Sequence, residues 1–285
     1  MPIKNEYEDY LKFIDDAFEL ARQIPRYFSK FSNKIYCNHQ KLAIYIMMQK
    51  LKLTTRGIVS YLRSNSDARM HLGLFKVPVH TTIIRFYPKI RNIISLLLGI
   101  RQANSVAVDA TGFELETKSF YYATHWNSDI KFKKKNYMKL SIAIDTDTQQ
   151  ILTYKIRRKL RHDTQDFKHL LKDIVCKQVV ADKGYDDQKL RRFVINKLKA
   201  IPIIPVRRYH NFYGYIKQKK KINGKSYHQR SKVETVFSVI KRKYGSVLRC
   251  RSYATQQIEI ISKLITYNLD RKLNYLLLNI GLHQR

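Results

Sequence analysis

The chain has 285 residues, 44% of them apolar, which is enough to bury the core of one large domain or two smaller ones and excludes a disordered polymer. Lys and Arg number 55 against 22 Asp and Glu, and the resulting charge of +33 calls for a polyanionic partner, of which nucleic acid is the commonest in a cell. No apolar run is long enough to span a bilayer, Met1-Pro-Ile-Lys-Asn-Glu6 lacks the pattern of a signal peptide, and no membrane partner is expected.

In chain order, residues 1–19 hold six acids and two lysines, with Tyr10, Leu11, Ile14, Phe18 and Ala21 at helical spacing, which predicts an amphipathic helix poorly suited to phosphate. Tyr36 to Leu51 reads as a buried helix and Thr54 to Leu62 as a third with a threonine cap. A loop with Gly73 and Pro78 leads to a helix from His80 that Pro88 is expected to kink or end. These helices suit either DNA reading or a packing and dimerisation layer.

The texture changes near residue 105. Ser105-Val-Ala-Val-Asp109, Phe120–Thr124, Leu140–Asp145 and Ile151–Ile156 read as strands, with a hairpin turn at Asp145-Thr-Asp-Thr148. A helix capped near Asp163 or Thr164, a strand Gln178–Ala181, a helix from Asp186 or Asp187 and a strand Ile201–Ile204 follow, then a basic loop, the helix holding Glu234 and a closing helix from about Thr255 to Leu277. This order predicts an α/β class fold, a mixed sheet flanked by helices and preceded by an all-helical region, divided as residues 1–104 and 105–285.

The three cysteines, Cys37, Cys176 and Cys250, form no CxxC pair and the nine histidines are scattered, which argues for a reducing compartment and leaves any metal to carboxylates. Asp109 ends one apolar strand and Asp182 ends another, Val179-Val-Ala181. A charge at such a place is costly unless the strand end is open or binds something, and strand carboxyl ends are where α/β sheets collect ligands. Asp145 and Asp147 read as turn residues, Asp186 and Asp187 as helix caps, and His162-Asp163 as a cap or a group beside the site.

Tyr227, Arg230, Glu234 and Lys241 are spaced by three, four and seven residues, so one helical face carries all four. Ser231-Lys-Val-Glu234 fits a capping box that would make Glu234 structural, yet Ser226-Tyr-His-Gln229 fits the same box one turn earlier. The earlier box accounts for both ends, with a helix from about Tyr227 to Tyr244, a stop at Gly245 and a buried stripe of Val233, Val236, Phe237 and Ile240.

Strand-end Asp109, strand-end Asp182 and helical Glu234 inside Tyr-x2-Arg-x3-Glu-x6-Lys resemble the DDE transposases of bacterial and archaeal insertion sequences. Gly57–Leu62, Gly73-Leu74, Val77-Pro78, Thr81-Thr82, Arg161-His-Asp163, Ala181–Tyr185 and Tyr267-Asn-Leu269 extend the resemblance over most of the chain. It implies a ribonuclease-H-like catalytic domain with Asp109, Asp182 and Glu234 as catalytic metal ligands. Two Mg²⁺ ions, with Mn²⁺ as a substitute, would suit three carboxylates and an in-line displacement at phosphorus. It further implies cleavage of double-stranded DNA at terminal inverted repeats and joining to a target, by a homodimer holding two ends, in a prokaryotic cytoplasm beside the nucleoid. Arg230, Lys241 and Tyr227 are expected on DNA, with basic runs holding Lys133, Lys134, Lys135, Arg157, Arg158, Arg207, Arg208, Lys219 and Lys220. Trp126 is expected in the core. The resemblance departs at Val206–Lys225, a basic loop where relatives that pass through a DNA hairpin carry a β-rich insertion. The rival readings are a relative that binds DNA without cutting, a nuclease of the same fold that never joins, and a basic RNA-packing protein.

Overall fold

A computed structural model of the chain describes residues 6–90, 94–98, 102–116, 137–158, 161–206 and 224–282. It divides into two compact units, one formed by Met1–Gly99 with Gln257–Arg285 and the other by Ile100–Gln256. The closing helix from Gln257 onward therefore groups with the N-terminal helices, whereas the sequence pattern assigned it to the catalytic domain.

The first unit is helical. It contains α1 (Glu6–Ala21), α2 (Asn38–Lys50), α3 (Thr55–Ser64), α4 (Ser66–His71) and α5 (His80–Ile90), then a 3-10 turn at Ile94–Leu98. Helix α2 is apolar on every side and is buried from Leu42 to Gln49, as expected of a helix packed all round. The Thr54 side chain accepts from the Gly57 N–H to start α3, and Asn65 does the same from Ala68 for α4. Helix α5 runs through Pro88 to Ile90 instead of stopping there. Ile84, four residues back, is on the exposed side of α5, so water can satisfy the carbonyl that proline leaves without a donor.

The second unit is a six-stranded mixed sheet: β1 (Ser105–Leu115), β2 (Tyr137–Asp145), β3 (Ile151–Arg157), β4 (Gln178–Ala181), β5 (Ile201–Ile203) and β6 (Val247–Leu248). The order is β3-β2-β1-β4-β5, with β1, β2 and β3 antiparallel and β4 and β5 parallel to β1. This is the ribonuclease-H-like arrangement. Helices α6 (Thr164–Leu171), α7 (Gln188–Asn196), α8 (Gly224–His228) and α9 (Ser231–Tyr244) belong to it, and α10 (Tyr253–Leu282) leads out of it. The expected Phe120–Thr124 strand and Trp126 fall outside the described residues.

Strand alternation assigns the two faces of β1. Val106 and Val108 join Val179, Ala181, Phe167, Leu170, Leu190 and Val194 in one continuous core under α6 and α7. Ala107, Asp109, Thr111 and Phe113 point to the opposite face, where α9 packs against β1. Val233, Val236, Phe237, Ile240 and Tyr244 of α9 are all buried, and Gly245 ends that helix at φ +89°, a conformation that favours glycine.

Candidate active site

β1 is longer than any single partner on its β4 edge. Val108 is opposite Ala181, the last residue of β4, and pairing on this edge resumes only at Glu114 with Val247 of β6. Asp109 and Asp182 are thus the next positions on two parallel strands at the point where these part. Because Val108 and Ala181 share the α6 and α7 face, both aspartates project from the other one, toward α9.

Each aspartate is fixed by a local hydrogen bond. The Ala110 N–H donates to Asp109 Oδ1 at 2.8 Å. Asp182 caps the 3-10 turn Lys183–Tyr185, accepting from the Gly184 N–H at 2.7 Å. A Cβ on residue 184 would stand 2.8 Å from that carboxylate oxygen, so any larger residue here would push the Asp182 carboxylate aside.

Asp109 is pushed up to about 6. Burial is the main cause; the Ala110 N–H opposes it, Asp182 adds to it, Arg230 opposes and Glu234 adds. Asp182, Arg230 and Glu234 all lie within electrostatic reach of Asp109, although α9 is far from it in sequence.

At the start of α9, Arg230 Nη1, from the residue just before the helix, donates to Glu234 Oε1 at 2.7 Å, and the glutamate is 53% exposed. Loss of hydration works against the Arg230 charge, but the charge and hydrogen bond of Glu234, with Tyr227 and Asp109, hold it above its ordinary range. Two turns further along, Lys241 Nζ donates to Thr111 Oγ1 at 2.7 Å and stands 5.7 Å from the Phe113 ring centroid. Burial lowers the Lys241 ammonium while Glu114 works the other way. Lys241 is therefore seated on the row of β1 side chains that begins with Asp109.

Neither capping box forms. The helix starts at Ser231 behind Arg230, which makes no side-chain cap, and Ser231 Oγ donates to the His228 carbonyl at 2.9 Å. Gln229 Oε1 is buried without a hydrogen-bond partner. The chain turns between α8 and α9 where one unbroken helix was expected, with Tyr227 half-buried on α8. Glu234 is consequently free of helix-start duty and directed at a cation.

The donors suit a hard divalent cation: two carboxylates in register on one face and a third on the helix packed over it. Among the described residues no three His, Cys, Asp or Glu side chains stand together closely enough to hold a metal ion. Glu234 faces Arg230, the nearest positive charge, and joining Asp109 and Asp182 requires it to leave that partner.

Sequence reasoning missed the polar layer beneath α6. Asp166 is fully buried and accepts from Arg157 Nε at 2.5 Å and Ser141 Oγ at 3.1 Å. Asp163 makes no helix cap; it meets Lys139 Nζ at 2.5 Å, and the same ammonium donates to the Arg161 carbonyl. Tyr185 has a buried hydroxyl without a hydrogen-bond partner, and burial first, then Asp163, Asp109, Asp182 and Asp166, push its phenol far up. The signal available was a lysine and a serine two apart in an apolar strand, matched by acids three apart near a helix start.

Of the expected DNA contacts, Arg157 is committed to Asp166, whereas Arg158 is exposed. Lys133, Lys134, Lys135, Arg207, Arg208, Lys219 and Lys220 lie outside the described residues. Asp186 serves as an ion-pair partner of Arg191, 2.5 Å away, while Asp187 caps α7 as expected.

Residues 101–269 match the family model described as Transposase DDE domain. Among solved structures the chain is similar to the piggyBac transposase synaptic complex with hairpin DNA, at a TM-score of 0.53 and 10% identity, covering 96% of this chain and 73% of that one. At that identity the likeness is one of fold. No curated protein matches the chain.

Proposed function

From a chain that belongs to the family of transposase DDE domains, we propose a DNA transposase of an insertion sequence that binds terminal inverted repeats, cleaves their ends and joins them to a target. The carrying observation is the register that sets Asp109 beside Asp182 at a parting of strands, under the helix that carries Glu234. In this reading Asp109, Asp182 and Glu234 hold two Mg²⁺ ions, with Mn²⁺ able to replace them. When bound, such ions stabilise the attacking and leaving oxygens of an in-line phosphoryl displacement.

The chain's own residues perform the rest. Asp109 is held by the Ala110 N–H and largely withdrawn from water, so it favours a cation over water. Arg230, once released from Glu234, offers a planar fork to a phosphate near the cut. Lys241, positioned by Thr111, adds a point charge further along the same row. Tyr227, within electrostatic reach of Arg230, contacts the strand in this reading, and Arg158 adds an exposed charge. Two ends must be held together, which makes a homodimer the expected form on DNA.

Incubating the protein with Mg²⁺ and duplexes carrying the repeats that flank its gene should give nicked ends and joined products. Cleavage without joining would identify a nuclease, and binding without cleavage a non-catalytic relative. Inverted repeats bracketing the gene are the corresponding observation on DNA.

Gly184→Ala tests the positioning of Asp182. The added methyl collides with the carboxylate, so cleavage should fall about a hundredfold, as expected for an ångström-scale misplacement. Thermal stability should change little, since the turn is partly exposed; equal cleavage rates would refute the close-approach argument.

A further inference from the structure

Two exposed phenylalanines in the helical unit have no role in the site described above. Phe31 is 86% exposed and Phe75 is fully exposed. Each stands next to a lysine, Lys30 and Lys76, in a segment without any acid: residues 22–36 also contain Arg22, Arg26 and Lys34, and residues 72–80 end in His80.

The first loop is fastened in place with its aromatic outward. The Asn38 N–H donates to the Arg26 carbonyl at 2.8 Å and Asn38 Nδ2 to the Pro25 carbonyl at 2.9 Å, while Phe28 stacks on Phe86 of α5. At its tip the Phe31 N–H donates to Ser29 Oγ at 3.2 Å, and the Lys30 ammonium stands 5.2 Å from the Phe31 ring centroid. The second loop is tied to the same place. Gln40, in the first turn of α2, accepts from the Cys37 N–H at 3.0 Å and donates to the carbonyls of Leu72 and Gly73 at 3.2 and 2.7 Å. Both loops are thus anchored at the N-terminal end of one buried helix.

We propose that these two loops form a DNA-end-binding surface on which Phe31 and Phe75 stack unpaired bases while Arg26, Lys30, Lys34 and Lys76 meet the phosphates; Arg22 is held by Glu19 at 2.8 Å. The inference rests on the DNA reading above and deepens it. A strand that alternates flat bases with phosphates fits aromatics interleaved with cations. Bases inside a duplex are already stacked, so the rings select the frayed or single-stranded part of an end. A second copy of the same surface would set its cations against these, which disfavours a dimer contact.

The test is fluorescence anisotropy of the full chain in EDTA, with a labelled blunt duplex, the same duplex with an unpaired tail, single-stranded DNA and single-stranded RNA of the same sequence. Wild type should prefer the tailed duplex to the blunt one. Phe31→Ala should weaken tailed and single-stranded binding about tenfold, and the blunt duplex less than about twofold. Lys30→Gln with Lys34→Gln should flatten the salt dependence on single strands by roughly 0.7 for each phosphate no longer neutralised. Both positions are exposed, so melting temperatures should match wild type. Tailed-DNA binding unchanged in both Phe31→Ala and Phe75→Ala overturns this proposal alone, as do equal losses on blunt and tailed ends, a preference for RNA, or a dimer that Phe31→Ala dissociates. Failure of the wild type to bind any of these DNAs overturns the transposase reading as well.

Discussion

Asp109→Asn should abolish DNA cleavage, by about a thousandfold or more, while making the metal-free protein more stable at neutral pH. The first effect follows from removing a charge that a divalent cation needs. The second follows from the raised pKa. Asp109 in the folded chain titrates at about 6, above the ordinary aspartate value of 3.8, so the folded state holds the proton more tightly than the unfolded state. Its ionised form therefore costs stability above about pH 6, and that cost disappears as the pH falls to about 4. Two units correspond to at most about 3 kcal/mol, and the partial exposure of Asp109 lowers this to about 1–2 kcal/mol. The variant should melt a few degrees higher than wild type at pH 8 and at the same temperature near pH 4. Mg²⁺ should raise the wild-type midpoint and leave the variant unmoved. Cleavage at the wild-type rate would remove Asp109 from the site, and a lower midpoint at pH 8 would refute the desolvation account.

Asp166→Asn should be among the most destabilising single changes in the sheet unit, by about 3 kcal/mol. The carboxylate is fully buried and balances Arg157; an amide oxygen could still accept from the guanidinium, but it would leave that cation without its countercharge. For a unit of this size the midpoint should fall by about 6–12 °C in a thermal melt. Asp163→Asn is the comparison. Its own carboxylate is 41% exposed but its partner Lys139 is only 7% exposed and keeps the Arg161 carbonyl as an acceptor, so the change should cost about 1–2 kcal/mol, less than Asp166→Asn. Replacing Arg157 and Asp166 together by Met and Leu should recover most of the stability, because the single change harms chiefly by stranding a charge. If Asp166→Asn melts within about 2 °C of wild type, the buried pair does not hold α6 to β3.

The parts of this molecule legible from sequence were those where apolar periodicity breaks at a charge. Val-Val-Ala running into Asp182 indicated a strand end, and β4 does stop at Ala181. Val-Ala-Val running into Asp109 indicated another, but β1 continues through Asp109 to Leu115, because β2 pairs with it along that whole length, so Asp109 stands in mid-strand beside the end of β4. The stripe on α9 was equally readable from its spacing, and all its members are buried. What stayed hidden depended on partners distant in sequence. β6 is only Val247–Leu248, too short for any pattern, and exists because β1 offers an edge beyond Asp109. Arg157 reads as a surface cation until Asp166 is found beneath it. The start of the helix carrying Glu234 was misjudged because two successive boxes satisfied the same local rule, whereas the chain uses i to i+3 backbone turns through Gln229 and Arg230.

The division of the chain has a consequence for the order in which it folds during synthesis. The sheet unit, Ile100–Gln256, is a continuous stretch, and every strand of it has been made before α10 extends past its first turn. The helical unit is assembled from both sides of that stretch, and the Lys50–Asp270 ion pair links α2 to a residue 220 positions later. Helices α1 to α5, translated before the sheet unit, should therefore keep apolar surface exposed until residues beyond Gln257 have been translated. Chaperone dependence and aggregation of nascent chains should accordingly concentrate in α1 to α5.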